Sequence, residues 1–310
     1  MPLNHSRTRA VAFAMVGSLL IAVSFSSVAS AAKTKTKSVP AELRVIDGKG
    51  RVLAEQTQYT GGPLTVKTDP KATCFGPDDG GSGDKVEIPA PTAFSLLADG
   101  GATNKAIKPL SITDAFSFGL GLCGIGKAVS PSTGFWALNV NHAQAESGGD
   151  STAVSSGDSI LWYLVEDFND PSPAELVLKA KKAENGEIPV KVVSYDANGK
   201  KTPAVGAGVT GADDVTDAKG KTVVAADGKV VAITATLDGA LPSNEVAVCT
   251  VRAKKCPAGY AGIVAGTKGN DKIKIDAPVT VLCGGGRDVV KVKGGVRFKA
   301  KGCEQVQEAK

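Results

Sequence analysis

Gly134-Phe135-Trp136-Ala137-Leu138-Asn139-Val140-Asn141-His142, followed after a loop by Val154-Ser155-Ser156-Gly157-Asp158-Ser159-Ile160-Leu161-Trp162-Tyr163-Leu164, is the stretch that decides the fold. Aromatic and branched apolar residues bounded by Asn, Gly, Asp and Ser read as two strands, each ending or starting at a turn. Successive side chains of a strand face opposite sides of its sheet. One ring of each pair, Phe135 or Trp136 and Trp162 or Tyr163, therefore packs inward, and the other stands outside or under a loop. Core packing is the default for the inward ring, and the outward ring is the better candidate for contact with a partner.

The flanking sequence completes a first module over 42–166. Leu43-Arg44-Val45-Ile46 and Arg51-Val52-Leu53 flank Asp47-Gly48-Lys49-Gly50, a hairpin signal. After Pro89-Ala90-Pro91, Thr92 is placed to cap a short helix reaching Ala98. Gly76 to Asp84 is a loop by composition and lacks the residue order of a calcium-binding EF-hand. The Phe-Trp-x-Leu-x-Val-Asn-His and Val-Ser-Ser-Gly-Asp-Ser-Ile-Leu-Trp-Tyr-Leu segments resemble the small secreted domain related to the C-terminal domain of transcobalamin. That resemblance implies a β-grasp-like sheet crossed by one helix, here Thr92–Ala98, and a role in ligand capture, with Phe135, Trp136, Trp162 and Tyr163 and the turn residues Asn141 and His142 as the candidate ligand contacts. The chain departs from the pattern with His142 where Gly is usual and with the Cys74/Cys123 pair. The helical partner domain of cobalamin-sequestering relatives has no counterpart here.

Arg7 and Arg9 precede the apolar run Ala10–Phe25, and small residues follow up to Ala31, so residues 1–31 read as a secretory signal. Export leads to oxidising conditions, and the six cysteines are then expected in disulfides. Fifteen connectivities exist for six cysteines. Locality favours Cys74 with Cys123, Cys249 with Cys256, and Cys283 with Cys303. A zinc site is disfavoured because no Cys-x-x-Cys occurs and only His142 remains once the signal is removed. Residues 32–41 read as a basic disordered lead. No second segment approaches the length of a membrane span.

A Pro-rich linker at 167–174 introduces a second module, 175–256, of short strands at Leu176–Ala180, Ile188–Tyr195, Thr222–Ala226, Val230–Thr236 and Val246–Val251. Its Pro203–Val209, Thr216-Asp217-x-x-Gly220, Ile233–Thr236 and Pro242-Ser243-Asn244 pieces resemble bacterial immunoglobulin-like modules, which implies a β-sandwich acting as spacer or binder. The last segment, 257–310, contains Gly266-Thr-Lys-Gly269-Asn-Asp271-Lys-Ile273-Lys and Cys283-Gly-Gly-Gly286-Arg-Asp288-Val-Val290-Lys. Both resemble nonapeptide turns of the repeats-in-toxin β-roll. The resemblance implies a structural calcium at Asp271 and Asp288, which the surrounding lysines oppose; the alternative is a short solenoid stapled by Cys283–Cys303. The fold expected is therefore mainly β and multidomain: an α+β β-grasp-like first domain, an immunoglobulin-like sandwich and a β-roll-like tail.

Removing the two signal arginines leaves 34 basic against 31 acidic residues, a net of +3. Residues 251–310 hold thirteen Lys/Arg and five Asp/Glu, or +8, so 32–250 sum to −5. A basic tail on an acidic body favours anionic surfaces such as cell-wall polymer. Nucleophile elbows, His-Glu-x-x-His helices and phosphate-cradling loops are missing from the sequence. The expectation is a non-catalytic secreted binding protein, extracellular or wall-associated, with an unknown extracellular ligand or cell-wall polymer as partner and no nucleic acid. The alternative is a structural or adhesive envelope component; a hydrolase using paired carboxylates has no positive signal.

Overall fold

The Asp47–Gly50 turn joins β1 (Val39–Ile46), whose last four residues are all buried, to β2 (Val52–Thr60) in an antiparallel hairpin. The computed structural model describes residues 37–308 apart from 75, 77 and 78, so the expected signal at 1–31 lies outside the described residues. Asp47 holds the turn: its carboxylate accepts the Lys49 and Arg51 amides and the Arg51 guanidinium. The last residues of the expected lead, Val39–Ala41, are strand instead of disordered. They pair with Gln58–Thr60, and Ala41 is buried in the core.

Thr92 caps α1 (Ala93–Thr103) in a reciprocal box, its hydroxyl accepting the Ser95 amide while the Ser95 hydroxyl accepts the Thr92 amide. The helix outruns the expected end at Ala98. Asp99-Gly100-Gly101 reads as a stop, yet a Cβ on Gly100 would lie 2.8 Å from Leu43 Cδ2. The missing side chain lets the helix lie close on the sheet, and that packing overrides the low helix propensity of glycine. Strands β3 (Phe135–Val140) and β4 (Ser159–Val165) complete this part; β4 runs parallel to β1 and antiparallel to β3. Leu43, Val45, Leu96, Leu97, Trp136, Ile160 and Trp162 fill the space between sheet and helix.

The second module is built on β5 (Ala174–Ala180) and β6 (Glu187–Tyr195), with Lys201–Pro203 and Lys221–Ala225 on β6 and Ala240–Leu241 on β5. Two short ladders, Gly208–Val209 with Ala235–Thr236 and Val230–Ile233 with Val246–Cys249, close over Leu176, Leu178, Ile188, Val192 and Ile233.

The last segment winds as a parallel solenoid. β7 (Ile263–Ala265), β9 (Thr280–Leu282) and β11 (Lys299–Lys301) pair in register, as do β8 (Lys272–Ile275), β10 (Val289–Val292) and β12 (Gln305–Glu308). Ile273, Ile275, Val281, Val290 and Val292 point between the two sheets. The coils approach so closely at their corner that only glycine fits: a Cβ on Gly284, at φ +87°, would sit 2.1 Å from the Thr267 carbonyl oxygen.

β7 also pairs in parallel with β2, Thr57 opposite Val264 and Gln58 opposite Ala265. The first module and the solenoid therefore share one eight-stranded sheet, in the order β11-β9-β7-β2-β1-β4-β3 and then Ala143–Gln144. Gln58 Nε2 donates to the Gly266 carbonyl (3.0 Å) and the Lys274 amide to the Tyr59 hydroxyl (3.2 Å), so side chains reinforce the seam. The disulfides are Cys74–Cys123, Cys249–Cys256 and Cys283–Cys303, closing separations of 49, 7 and 20 residues. On chain-entropy grounds these loops stabilise by about 4, 2.5 and 3 kcal/mol.

Asp99, on the sheet-facing side of α1, is 6% exposed. Burial pushes its carboxyl up to about 7; Thr60 and Lys268 oppose this, and the Asp271 charge adds to it. Burial likewise raises Glu55 and Asp288 to about 6. The folded chain thus keeps protons up to pH 6–7 that the unfolded chain releases near pH 4. The associated stability is complete below about pH 4 and lost as pH rises through about 7. Tm is expected to fall by a few degrees between about pH 5 and pH 8. In Asp99→Asn that fall should be smaller, as measured by calorimetry across the range; an unchanged profile in the variant would contradict the assignment.

Candidate functional site

The second module is fastened to the first by charge. Arg44 on β1 and Asn139 on β3 face the same side of the sheet, towards β5 of the second module. There Glu175 is 2% exposed. Its Oε1 accepts Arg44 Nη2 at 2.9 Å and lies 3.0 Å from His142 Nδ1, and its Oε2 accepts Asn139 Nδ2 at 3.3 Å. Because a carboxylate only accepts, His142 carries its proton on Nδ1. Burial alone would raise Glu175; the His142 hydrogen bond and the Arg44 charge outweigh it and hold the carboxyl below its ordinary value.

His142 reaches Glu175 from an unusual backbone. Asn141 and His142 both have positive φ, +52° and +73°, the conformation of the tight hairpin turn that Asn-Gly normally supplies. A side chain in this region costs on the order of 1 kcal/mol. The contacts that offset it come from the second module: Glu175, and the Tyr195 ring, which stacks on His142 at 4.3 Å between centroids. Asn141 is held by Asp158, its amide donating at 2.9 Å, and its oxygen accepts the Ser159 amide.

Beside this network lies a cleft of about 420 Å³ to which all three modules contribute. β1 and β2 supply Glu42, Arg44 and Glu55, the second module supplies Glu175, Val177 and Glu245, and the solenoid supplies Ile263 and Val279. Glu55 Oε1 accepts the Glu245 amide at 2.8 Å, a second strut between modules. Burial raises Glu55 to about 6, although that amide and Arg44 oppose the shift. With Glu175 neutralised by its partners, Glu42, Glu55 and Glu245 leave the cleft negative at neutral pH, with apolar walls from Leu43, Val177 and Ile263. Ser159 also lines the cleft, but its hydroxyl makes no hydrogen bond to His142 among the described residues.

The sequence-derived contacts divide between two places. His142 belongs to the cleft. Phe135, Trp136 and Trp162 line a separate pocket of about 190 Å³ with Phe94, Leu120 and Leu122. Trp162 meets Phe94 edge-on at 6.2 Å, and the Trp136 and Trp162 indole nitrogens are buried without an acceptor. Tyr163, the outward ring of its pair, is 1% exposed and packs with Ile46, Leu161 and Leu241, because the second module covers that face. An open aromatic face therefore does not form: Trp136, Trp162 and Tyr163 are buried and Phe135 half-buried.

Asp271 and Asp288 occupy equivalent corners of successive solenoid coils. Asp271 Oδ2 accepts the Thr267 amide and hydroxyl, Asp288 Oδ1 accepts the Asp271 amide, and Glu304 Oε2 accepts the Asp288 amide. The acids thus stitch coil to coil. Asp271 Oδ1 and Asp288 Oδ2 stay buried without a partner. Among the described residues no three His, Cys, Asp or Glu side chains gather as metal ligands.

Removing one member of a buried ion pair strands the other charge, at a cost of about 3–5 kcal/mol, whereas replacing both with apolar residues is close to neutral. Glu175→Gln is therefore expected to destabilise the chain by about 3 kcal/mol in chemical denaturation. The double variant Arg44→Met/Glu175→Leu should recover most of that loss; equal destabilisation in both would contradict the charge account.

Compared with protein-family models, with curated proteins and with solved structures, the chain shows no significant match.

Proposed function

We propose that the chain is a secreted, non-catalytic binding protein and that its ligand site is the cleft where the three modules meet. The supporting observation is the composition of that cleft: three carboxylates that form no ion pair among the described residues, set among apolar walls, in a volume within the range of ordinary ligand sites. Ligand sites favour such junctions because converging surfaces make a concave space that no single module could. The ligand class this composition suits is a cation with an apolar portion, such as an alkylammonium or a guanidinium on a short hydrocarbon chain. Export fits the three disulfides, and among the described residues no helix is long and apolar enough to cross a membrane. The strand order β2-β1-β4-β3 with one helix across it supports reading the first module as a relative of the transcobalamin C-terminal domain.

Isothermal titration with butylammonium, agmatine and spermidine, against butyrate and butanol as anionic and neutral controls, tests the reading. Cations are expected to bind and the controls not to. Glu55→Gln should weaken binding about tenfold, and lowering the pH to about 5 should do the same by protonating Glu55. Equal binding of butyrate, or cation binding untouched by Glu55→Gln, would overturn it.

A further inference from the structure

We infer that the outer face of the β8–β10–β12 sheet is a docking surface for a linear, phosphate-bearing polyanion, a site separate from the junction cleft and opposite to it in charge. Parallel in-register pairing sets Lys274 directly across from Lys291, on strands about 4.8 Å apart. Lys272 lies two residues along the same face of β8, and Lys293 follows β10. All four are exposed. No carboxylate of the described residues lies within ion-pair distance of any of them. Lys274, Lys291 and Lys293 line an open groove of about 390 Å³ together with Ile275, Val292 and Asp276, its single acid.

Like charges placed opposite each other across a sheet are destabilising, so this arrangement calls for a reason beyond folding. The solenoid contains its own control. The third coil carries Gln305 and Gln307 at the positions that hold Lys272 and Lys274 in the first coil, and it forms the same strand. Lysine is therefore not what the strand needs. Edge protection, a common use of lysine in sheets, does not account for Lys291 either, because β10 is the central strand.

The ligand class follows from the kind of cation. Lysine presents a point charge on a flexible stem, suited to dense phosphate charge; planar carboxylates are better met by the arginine fork. No arginine lines the groove. One exposed ion pair contributes little, so a single phosphate would bind weakly. A chain that meets several lysines at once sums those contacts and releases counterions.

The test is titration of the intact protein with long-chain inorganic polyphosphate, with monomeric phosphate at equal phosphorus as reference. Polyphosphate should bind and phosphate should not. With about four contacts, affinity should fall on the order of 50-fold between 50 and 200 mM salt. Lys→Gln at 272, 274, 291 and 293 should weaken binding at least tenfold with the circular dichroism spectrum unchanged. Should that variant misfold, Lys274→Gln/Lys291→Gln alone should still cost several-fold. Lys299→Gln/Lys301→Gln, on the other sheet, should bind as the parent does. Equal loss in the 299/301 variant, unaltered binding in the 274/291 variant, or tighter binding to phosphatidylserine vesicles than to polyphosphate would overturn the inference.

Discussion

One buried carboxylate organises the junction of this molecule. Glu175 stands at the start of β5, where the chain leaves the first module, and it receives Arg44 from β1, Asn139 from β3 and His142 from the turn after β3. Taking Glu175 and Arg44 out of water costs several kcal/mol per ion, which their mutual attraction offsets only when the geometry is held. That makes the contact a poor source of stability and a strong source of specificity: the second module has one seat on the sheet. The left-handed His142 belongs to the same arrangement, since its contacts to Glu175 and Tyr195 exist only in that seat.

The other half of the junction is backbone pairing. Two residues of β2 pair in parallel with β7, and through them the solenoid continues the sheet of the first module. Parallel strands ordinarily need both faces covered. Here α1 covers one face of the first module's sheet and the second module the other, while the solenoid encloses its own apolar stack. The cleft is a consequence of these two attachments: second module and solenoid meet the first on neighbouring stretches of β1 and β2, and the gap between them is lined by Glu42, Glu55 and Glu245. The molecule thus separates its charges, with acids inside the junction and lysines on the solenoid's outer face that form no ion pair among the described residues.

Local features of the fold were legible in the sequence. The Asp47–Gly50 turn, the Thr92 cap, the strands at 135–140 and 159–165 and the three short-range disulfides all depend on neighbours within some fifty residues, and their signals are local. The nonapeptides at 266 and 283 marked the solenoid, and their seventeen-residue offset proves to be one full coil, since residues 272–275 pair directly with 289–292. The junction was not legible. Glu175 reads as an ordinary acid opening a strand, and its partners lie 131 and 33 residues away. Glu55 and Glu245 carry no motif, and nothing near Thr57 announces a pairing with residues 264–265. The aromatic segment announced strands correctly, but which faces stay open depends on what docks there: the second module covers Tyr163, and α1 with the 145–149 loop encloses Trp162.

Three cores, Leu43/Trp162, Ile188/Val192 and Ile273/Val290, are locked into one body by Glu175 and the β2–β7 seam. Differential scanning calorimetry of the oxidised protein tests this most directly. A single transition whose calorimetric and van't Hoff enthalpies agree is the predicted result. Separate transitions for the modules, or a calorimetric enthalpy well above the van't Hoff value, would show that they unfold independently and that the junction is not a fixed structure.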